Sequence, residues 1–222
     1  MKKEFFNKNR KLNILDIGCG DGIMLFEINK ILNEFDYTGL DVDKKLIETG
    51  IELSVKMAIN NKSKFYLIDV DNFENFFIDS TEKYDVILIL DVLEHIENPV
   101  SFIKSIIGNL KDETYILVSV PTPNYIKMFG KKFHLSVGHK RNGYELDEIS
   151  ELFSEFNLKL NYIKYNTGII SKFGCFLYYR LNFDNRFFLY IKSVILHLFS
   201  YLDFFNNKKI SCSLFTVYKN SL

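Results

Sequence analysis

A chain of 222 residues, 47% of them hydrophobic and 25% charged, is long enough for one folded domain with an appendage and too apolar for a disordered segment. Its 28 basic and 28 acidic side chains cancel, which removes the broad electrostatic case for a nucleic-acid partner. The three cysteines, Cys19, Cys175 and Cys212, lie far apart without C-x-x-C spacing, which reads as free thiols in a reducing compartment and excludes a zinc ribbon or a disulfide framework.

The chain opens with Lys2, Lys3, Lys8, Arg10 and Lys11 against Glu4 and no apolar core of a leader. This reads as a solvated start of a cytoplasmic protein rather than a phospholipid contact. Asn13 to Ile17 is a short apolar run broken by one acid, the pattern of a buried parallel strand. Gly18-Cys19-Gly20-Asp21-Gly22 follows, and then the helical spacing of Ile23, Leu25, Phe26, Ile28 and Ile31. A strand entering a glycine-rich turn and leaving as a helix is a ligand cradle, because glycine reaches positive φ and lets a ligand approach the main chain. The spacing is not the dinucleotide fingerprint G-x-G-x-x-G, since Ile23 stands where that pattern wants Gly or Ala. With Asp16 two residues ahead of the first glycine, the stretch resembles motif I of the class I S-adenosylmethionine-dependent methyltransferases. The resemblance implies a cofactor cradle of Asp16, Gly18, Cys19, Gly20 and Gly22, with the acid near the methionine amino group.

Tyr37 to Asp41 reads as a second strand ending in an acid, about twenty residues past the glycine turn, where such folds place a carboxylate on ribose hydroxyls. The resemblance extends to Val42, which it lays against adenine. A helix over 43–59 and a third strand over 64–68 follow. That strand leads into Asp69-Val70-Asp71. In the family an acid here accepts from the adenine amino group and the next N–H meets a ring nitrogen, which assigns Asp69 and Val70; Asp71 reads as a cap for 73–78.

Val86 to Leu90 is a continuous apolar run, the signature of a central strand covered on both faces. Asp91-Val92-Leu93-Glu94-His95-Ile96 and Glu97-Asn98-Pro99 come next, then a helix over about 100–110. This block looks like the fourth-strand region of the small-molecule branch of the family. Ligands in open α/β sheets sit beyond the carboxyl ends of the strands at the order reversal, so Leu90 to His95 border the transferable methyl. Thr114 to Pro121 is a fifth strand, stopped by Pro121 and Pro123. Strands alternating with helices predict a doubly wound, mostly parallel sheet.

The segment 125–143 is basic and holds His134 and His139; the resemblance implies a substrate-facing loop here, whose basic cluster either receives an anionic substrate or is simply solvated. Residues 144–153 have helical spacing, and 158–165 and 209–219 alternate as strands. The resemblance joins these into a single class I domain over 1–222. It has a seven-stranded sheet in the order 3-2-1-4-5-7-6, strand 7 antiparallel, with an apolar helical insertion over 167–205. Within the insertion, 187–205 is about as long as a membrane span. Burying Lys192 and Asp203 at a bilayer centre would cost about 2.5–3.5 kcal/mol each. The segment is therefore expected to pack on the domain or on a second protomer, or to touch a membrane peripherally through 186–205 at the inner face.

The sulfonium methyl of S-adenosyl-L-methionine is already electrophilic, so the protein supplies alignment and, for a hydroxyl acceptor, a base. His95, His139 and His134 are the candidates, with Asp91 outside them; His95, at the start of a loop-to-helix passage, could instead only buttress backbone. No residues show metal-ligand spacing, so no metal is expected. The function so read is an O-methyltransferase acting on a small-molecule, glycan or lipid-linked acceptor, in cell-surface polysaccharide or lipid-linked glycan assembly. A nicotinamide-dependent oxidoreductase and a non-catalytic docking module of the same fold are the rivals.

Overall fold

The computed structural model describes residues 10–68, 76–77, 82–136, 138–168, 171 and 206–220. The chain runs β1 (Leu12–Ile17), α1 (Ile23–Asn29), β2 (Phe35–Asp41), α2 (Lys44–Lys56), β3 (Ser63–Leu67) and β4 (Tyr84–Leu90). It continues through a 3-10 turn (Leu93–His95), α3 (Pro99–Ile107), β5 (Leu110–Pro121), α4 (Asn124–Phe129), α5 (Lys131–Ser136), α6 (Leu146–Ser154), β6 (Leu158–Asn166) and β7 (Ser213–Asn220). The seven strands form one sheet in the order β3-β2-β1-β4-β5-β7-β6. β1 to β5 pair in parallel, and β7 runs antiparallel between β5 and β6.

The apolar runs produce this arrangement directly. Every residue of β4 from Tyr84 to Ile89 is buried, as parallel pairing with β1 and β5 and cover on both faces require. The strand period of two sends Leu15, Ile17, Ile87 and Ile89 to one core, and Ile14, Val86 and Leu88, with Leu25, Phe26 and Phe35, to the other. Helix starts are set by side chains: Asp43 caps α2 by accepting from the N–H groups of Lys45 and Leu46, and Asn98 caps α3 ahead of Pro99. Asp85, at the foot of β4, accepts from Arg10 at 2.5 Å, the Asn13 N–H at 2.9 Å and Lys111 at 2.7 Å, tying three segments at the end of the sheet away from the glycine turn.

Two expectations change. Residues 124–136 are not an open loop but two six-residue helices hinged at Gly130, whose φ is +84°. β6 is exposed along both faces through most of its length, rather than on one, because it is the last strand of the sheet. The apolar insertion lies almost wholly outside the described residues, as do Asp69 and Val70.

Candidate active site

The glycine turn is held to β2 by its own backbone. The N–H groups of Gly18 and Cys19 both donate to the Leu40 carbonyl, at 2.8 and 3.0 Å. Gly18, Gly20 and Gly22 all sit at positive φ. A Cβ at Gly18 would lie 2.4 Å from Val92 Cγ2, whereas one at Gly20 would meet nothing within 4 Å. The turn is thus packed on the β4 side and open above its centre. The Gly20 N–H donates to Asp41 Oδ2 at 2.7 Å, and the Asp43 N–H to Oδ1 at 2.9 Å. Each oxygen keeps lone-pair capacity beyond that one bond, as a sugar diol needs.

Beside the turn opens a cleft of about 570 Å³, at the carboxyl ends of β1, β2 and β4. Gly18, Asp41 and Val42 line it on the β2 side, and Asp91, Val92 and His95 on the β4 side. This is the crevice that the order reversal of an open α/β sheet creates. Val42 is 59% exposed and offers an apolar surface to a flat ring. Asp91 adopts φ +55°, a left-handed conformation that Asp tolerates better than most residues, and its Oδ1 accepts from Ser119 Oγ at 3.0 Å.

Several expected residues stand elsewhere. Asp16 is only 2% exposed and does not line the cleft; the strand alternation turns it inward, where Tyr37 Oη donates to its Oδ2 at 2.6 Å. Burial pushes its carboxyl up to about 7. Cys19 lies in the core, so its side chain supports the turn from behind. Leu90 is half-buried but is not part of the cleft wall.

The three histidines do come together, but only His95 faces the cleft. Its Nδ1 lies 3.2 Å from the Gly138 carbonyl, an acceptor, so Nδ1–H is the donor in this contact and Nε2 is the ring nitrogen it leaves unengaged. His139 packs edge-on behind it, ring centroids 4.8 Å apart, and His139 Nδ1 lies 3.2 Å from His134 Nδ1. His134 is buried and does not line the cleft. Burial, with His95 and His134 alongside, drives His139 down to about 4, so this imidazole is neutral at neutral pH.

Glu94 is the group that sequence reasoning missed. It is 1% exposed, its Oε1 lies 3.9 Å from His139 Nε2, and its Oε2 has no hydrogen-bond partner. Burial raises its carboxyl to about 8. Only its place among Leu93, His95 and Ile96, an acid inside an apolar run, could have signalled it. The segment 138–144 straps this turn down: Lys140 N–H donates to the Glu94 carbonyl at 2.8 Å and Tyr144 Oη to the Leu93 carbonyl at 3.1 Å. Glu94, His95 and His139 lie together here, with one potential ligand atom of each within 4.8 Å of the others.

Sheet order, glycine turn and cleft define the class I S-adenosylmethionine-dependent methyltransferase architecture. Residues 2–162 match the family model described as a methyltransferase domain, and the chain belongs to that family, whose cofactor is S-adenosylmethionine. Among curated relatives, a ubiquinone biosynthesis O-methyltransferase of Rickettsia bellii is 28% identical over 117 residues, 53% of this chain and 45% of that protein. A mitochondrial protein of the same name from Dictyostelium discoideum is 30% identical over 121 residues, 52% of this chain and 37% of its own. The matched region thus spans less than half the length of these relatives. Among solved structures, the plantazolicin methyltransferase BpumL, in complex with a triazolic desmethylPZN analog and SAH, superposes with a TM-score of 0.63 at 23% identity, covering 99% of this chain and 80% of that one. The magnesium protoporphyrin IX methyltransferase of Synechocystis PCC 6803 with bound SAH gives 0.58 at 14% identity, covering 95% and 74%. At these identities the structural likeness speaks for the fold.

Proposed function

We propose that the protein transfers the methyl group of S-adenosylmethionine to a hydroxyl oxygen of a small-molecule acceptor. The observation that carries this reading is the cleft itself, with the Asp41 carboxylate on one side of the glycine turn and the His95 imidazole on the other. When bound, the donor supplies an electrophilic carbon on sulfonium. The chain's residues do the rest: Asp41 fixes the ribose, Val42 flanks the adenine, and the open space over Gly20 admits the nucleoside without a side chain in the way. His95 Nε2 accepts the acceptor's proton as the oxygen–carbon bond forms and the carbon–sulfur bond breaks, its electron pair passing to sulfur. The products are a methyl ether and S-adenosylhomocysteine.

The curated relatives' shared name supports oxygen as the methylated atom and a small molecule as the acceptor. None of the relatives described here carries a polysaccharide or glycan role in its name, so that finer expectation rests on the basic segment 125–143 and the insertion alone. Peripheral membrane contact through 186–205, a homodimer and a cytoplasmic location rest likewise on sequence. Calorimetric titration tests the cofactor: S-adenosylhomocysteine binds at one equivalent and NADH does not, whereas the reverse would establish the oxidoreductase. Incubating a cell extract with methyl-labelled donor tests the acceptor. Label in a base-stable small molecule is the result expected; label confined to polymer would restore the glycan, and none transferred would favour the docking module.

A further inference from the structure

The segment from Gly138 to Tyr144 brackets His95 on both sides. Tyr144 Oη donates to the Leu93 carbonyl at 3.1 Å, the Lys140 N–H to the Glu94 carbonyl at 2.8 Å and Arg141 Nη2 to the Glu97 carbonyl at 3.3 Å. These three bonds hold backbone before and after residue 95, and the Gly138 carbonyl, 3.2 Å from Nδ1, holds its ring. The segment is pinned at both ends. Tyr144 is buried, and its N–H donates to the Pro121 carbonyl at 2.8 Å, at the end of β5. Gly138 follows α5, its N–H donating to the Leu135 carbonyl at 3.1 Å, with φ at +78°. A Cβ there would meet only His95 Nδ1, in ordinary contact at 3.8 Å, so glycine supplies the left-handed backbone and not the space.

We propose that Gly138 and Tyr144 are positioning residues for the methyl transfer. Through the carbonyl of one and the hydroxyl of the other, they hold the His95 ring with its proton on Nδ1 and the lone pair of Nε2 available to the cleft. This rests on the hydroxyl-acceptor reading above, in which Nε2 takes the acceptor's proton. A neutral imidazole free in water carries its proton mainly on Nε2, which leaves no lone pair there; in a protein the hydrogen bond made by one nitrogen decides what the other can do. A contact open to water holds a ring weakly on its own, because water competes for both partners. The backbone bonds of the segment fix donor and acceptor in advance, so the ring has little further freedom to lose. When Nε2 takes the proton the ring becomes a cation, and the bond from Nδ1–H to the carbonyl strengthens as charge develops.

Full-length, isotopically nitrogen-labelled protein is studied by long-range proton–nitrogen correlation of its imidazole rings, with His95→Gln identifying the His95 signals among the four histidines. At mildly alkaline pH the unaltered chain shows Nδ1 protonated and Nε2 bare. Gly138→Val, whose branched side chain resists positive φ, shifts these signals toward the pattern of the free side chain. It also lowers label transfer from methyl-labelled donor into a cell extract about 10- to 100-fold, with S-adenosylhomocysteine affinity unchanged. Gly138→Asn, which tolerates that backbone, restores both. Tyr144→Phe acts in the same direction by about three- to tenfold. A merely structural role would lower nucleoside affinity or stability and leave the ring signals in place. The proposal is overturned if His95 of the unaltered chain carries its proton on Nε2, or if both the ring signals and the transfer rate survive Gly138→Val; should that variant not fold, Tyr144→Phe decides in its place. His95→Gln transferring label at the unaltered rate would sink the base reading, while the ring spectrum still judges the anchor.

Discussion

The Gly20 N–H donates to Asp41 Oδ2 at 2.7 Å, so a carboxylate on the cleft wall also sets the height of the glycine turn. On the proposed reading, this one side chain couples the glycine cradle to the ribose. Asp41→Ala therefore removes both functions. A hydrogen bond to a charged group contributes about 1.5–3 kcal/mol, so S-adenosylhomocysteine affinity should fall roughly 10- to 100-fold by calorimetry. Asp41→Asn, which keeps one acceptor oxygen, should lose less.

Gly18 is constrained twice, by its φ of +73° and by Val92 Cγ2, 2.4 Å from where a Cβ would lie. Gly18→Ala should abolish nucleoside binding and lower stability in chemical denaturation. Adding Val92→Ala removes the clash but not the left-handed backbone, whose strain for a non-glycine residue is about 1–2 kcal/mol. The double variant should thus recover only part of the loss.

Asp16 supplies a pH test. Burial raises its carboxyl to about 7 in the folded chain from an ordinary value near 3.8, so the folded state holds the proton where the unfolded state has released it. The stability this contributes is complete below about pH 4 and is lost as pH rises through 7. Asp16→Asn keeps an oxygen for Tyr37 Oη and removes the titration. Without ligand, the variant should match the natural chain near pH 4 and exceed it by on the order of 1–3 kcal/mol at pH 8, read from urea midpoints. Parallel curves across that range would contradict the assignment.

His95→Gln removes the free imidazole nitrogen at the cleft without touching the turn. It should lower kcat about 10²- to 10⁴-fold while leaving the Kd for S-adenosylhomocysteine unchanged. A parallel loss of nucleoside affinity would show that His95 only supports the cofactor.

The parallel half of the sheet is legible because strands buried on both faces read as nearly continuous apolar runs: Val86–Ile89 is unbroken and Ile14–Ile17 is interrupted only by Asp16. The glycine turn and Asp41 are legible because few sequences satisfy that backbone and that carboxylate together. Asp16 could have been placed by alternation alone, since it shares a face with the buried Ile14. Glu94 offered only the weak signal of an acid among Leu93, His95 and Ile96, because its burial depends on Tyr144 and Lys140 strapping that turn from far along the chain. The helices at 124–136 escaped because six residues on either side of Gly130 are too short to show a period.

A crystal structure of the protein with S-adenosylhomocysteine tests the central claim most directly. The account predicts the nucleoside in the cleft, both ribose hydroxyls on the Asp41 carboxylate, the base against Val42 and the sulfur turned toward His95. Nucleoside bound elsewhere, or a cleft empty at saturating concentration, would contradict it.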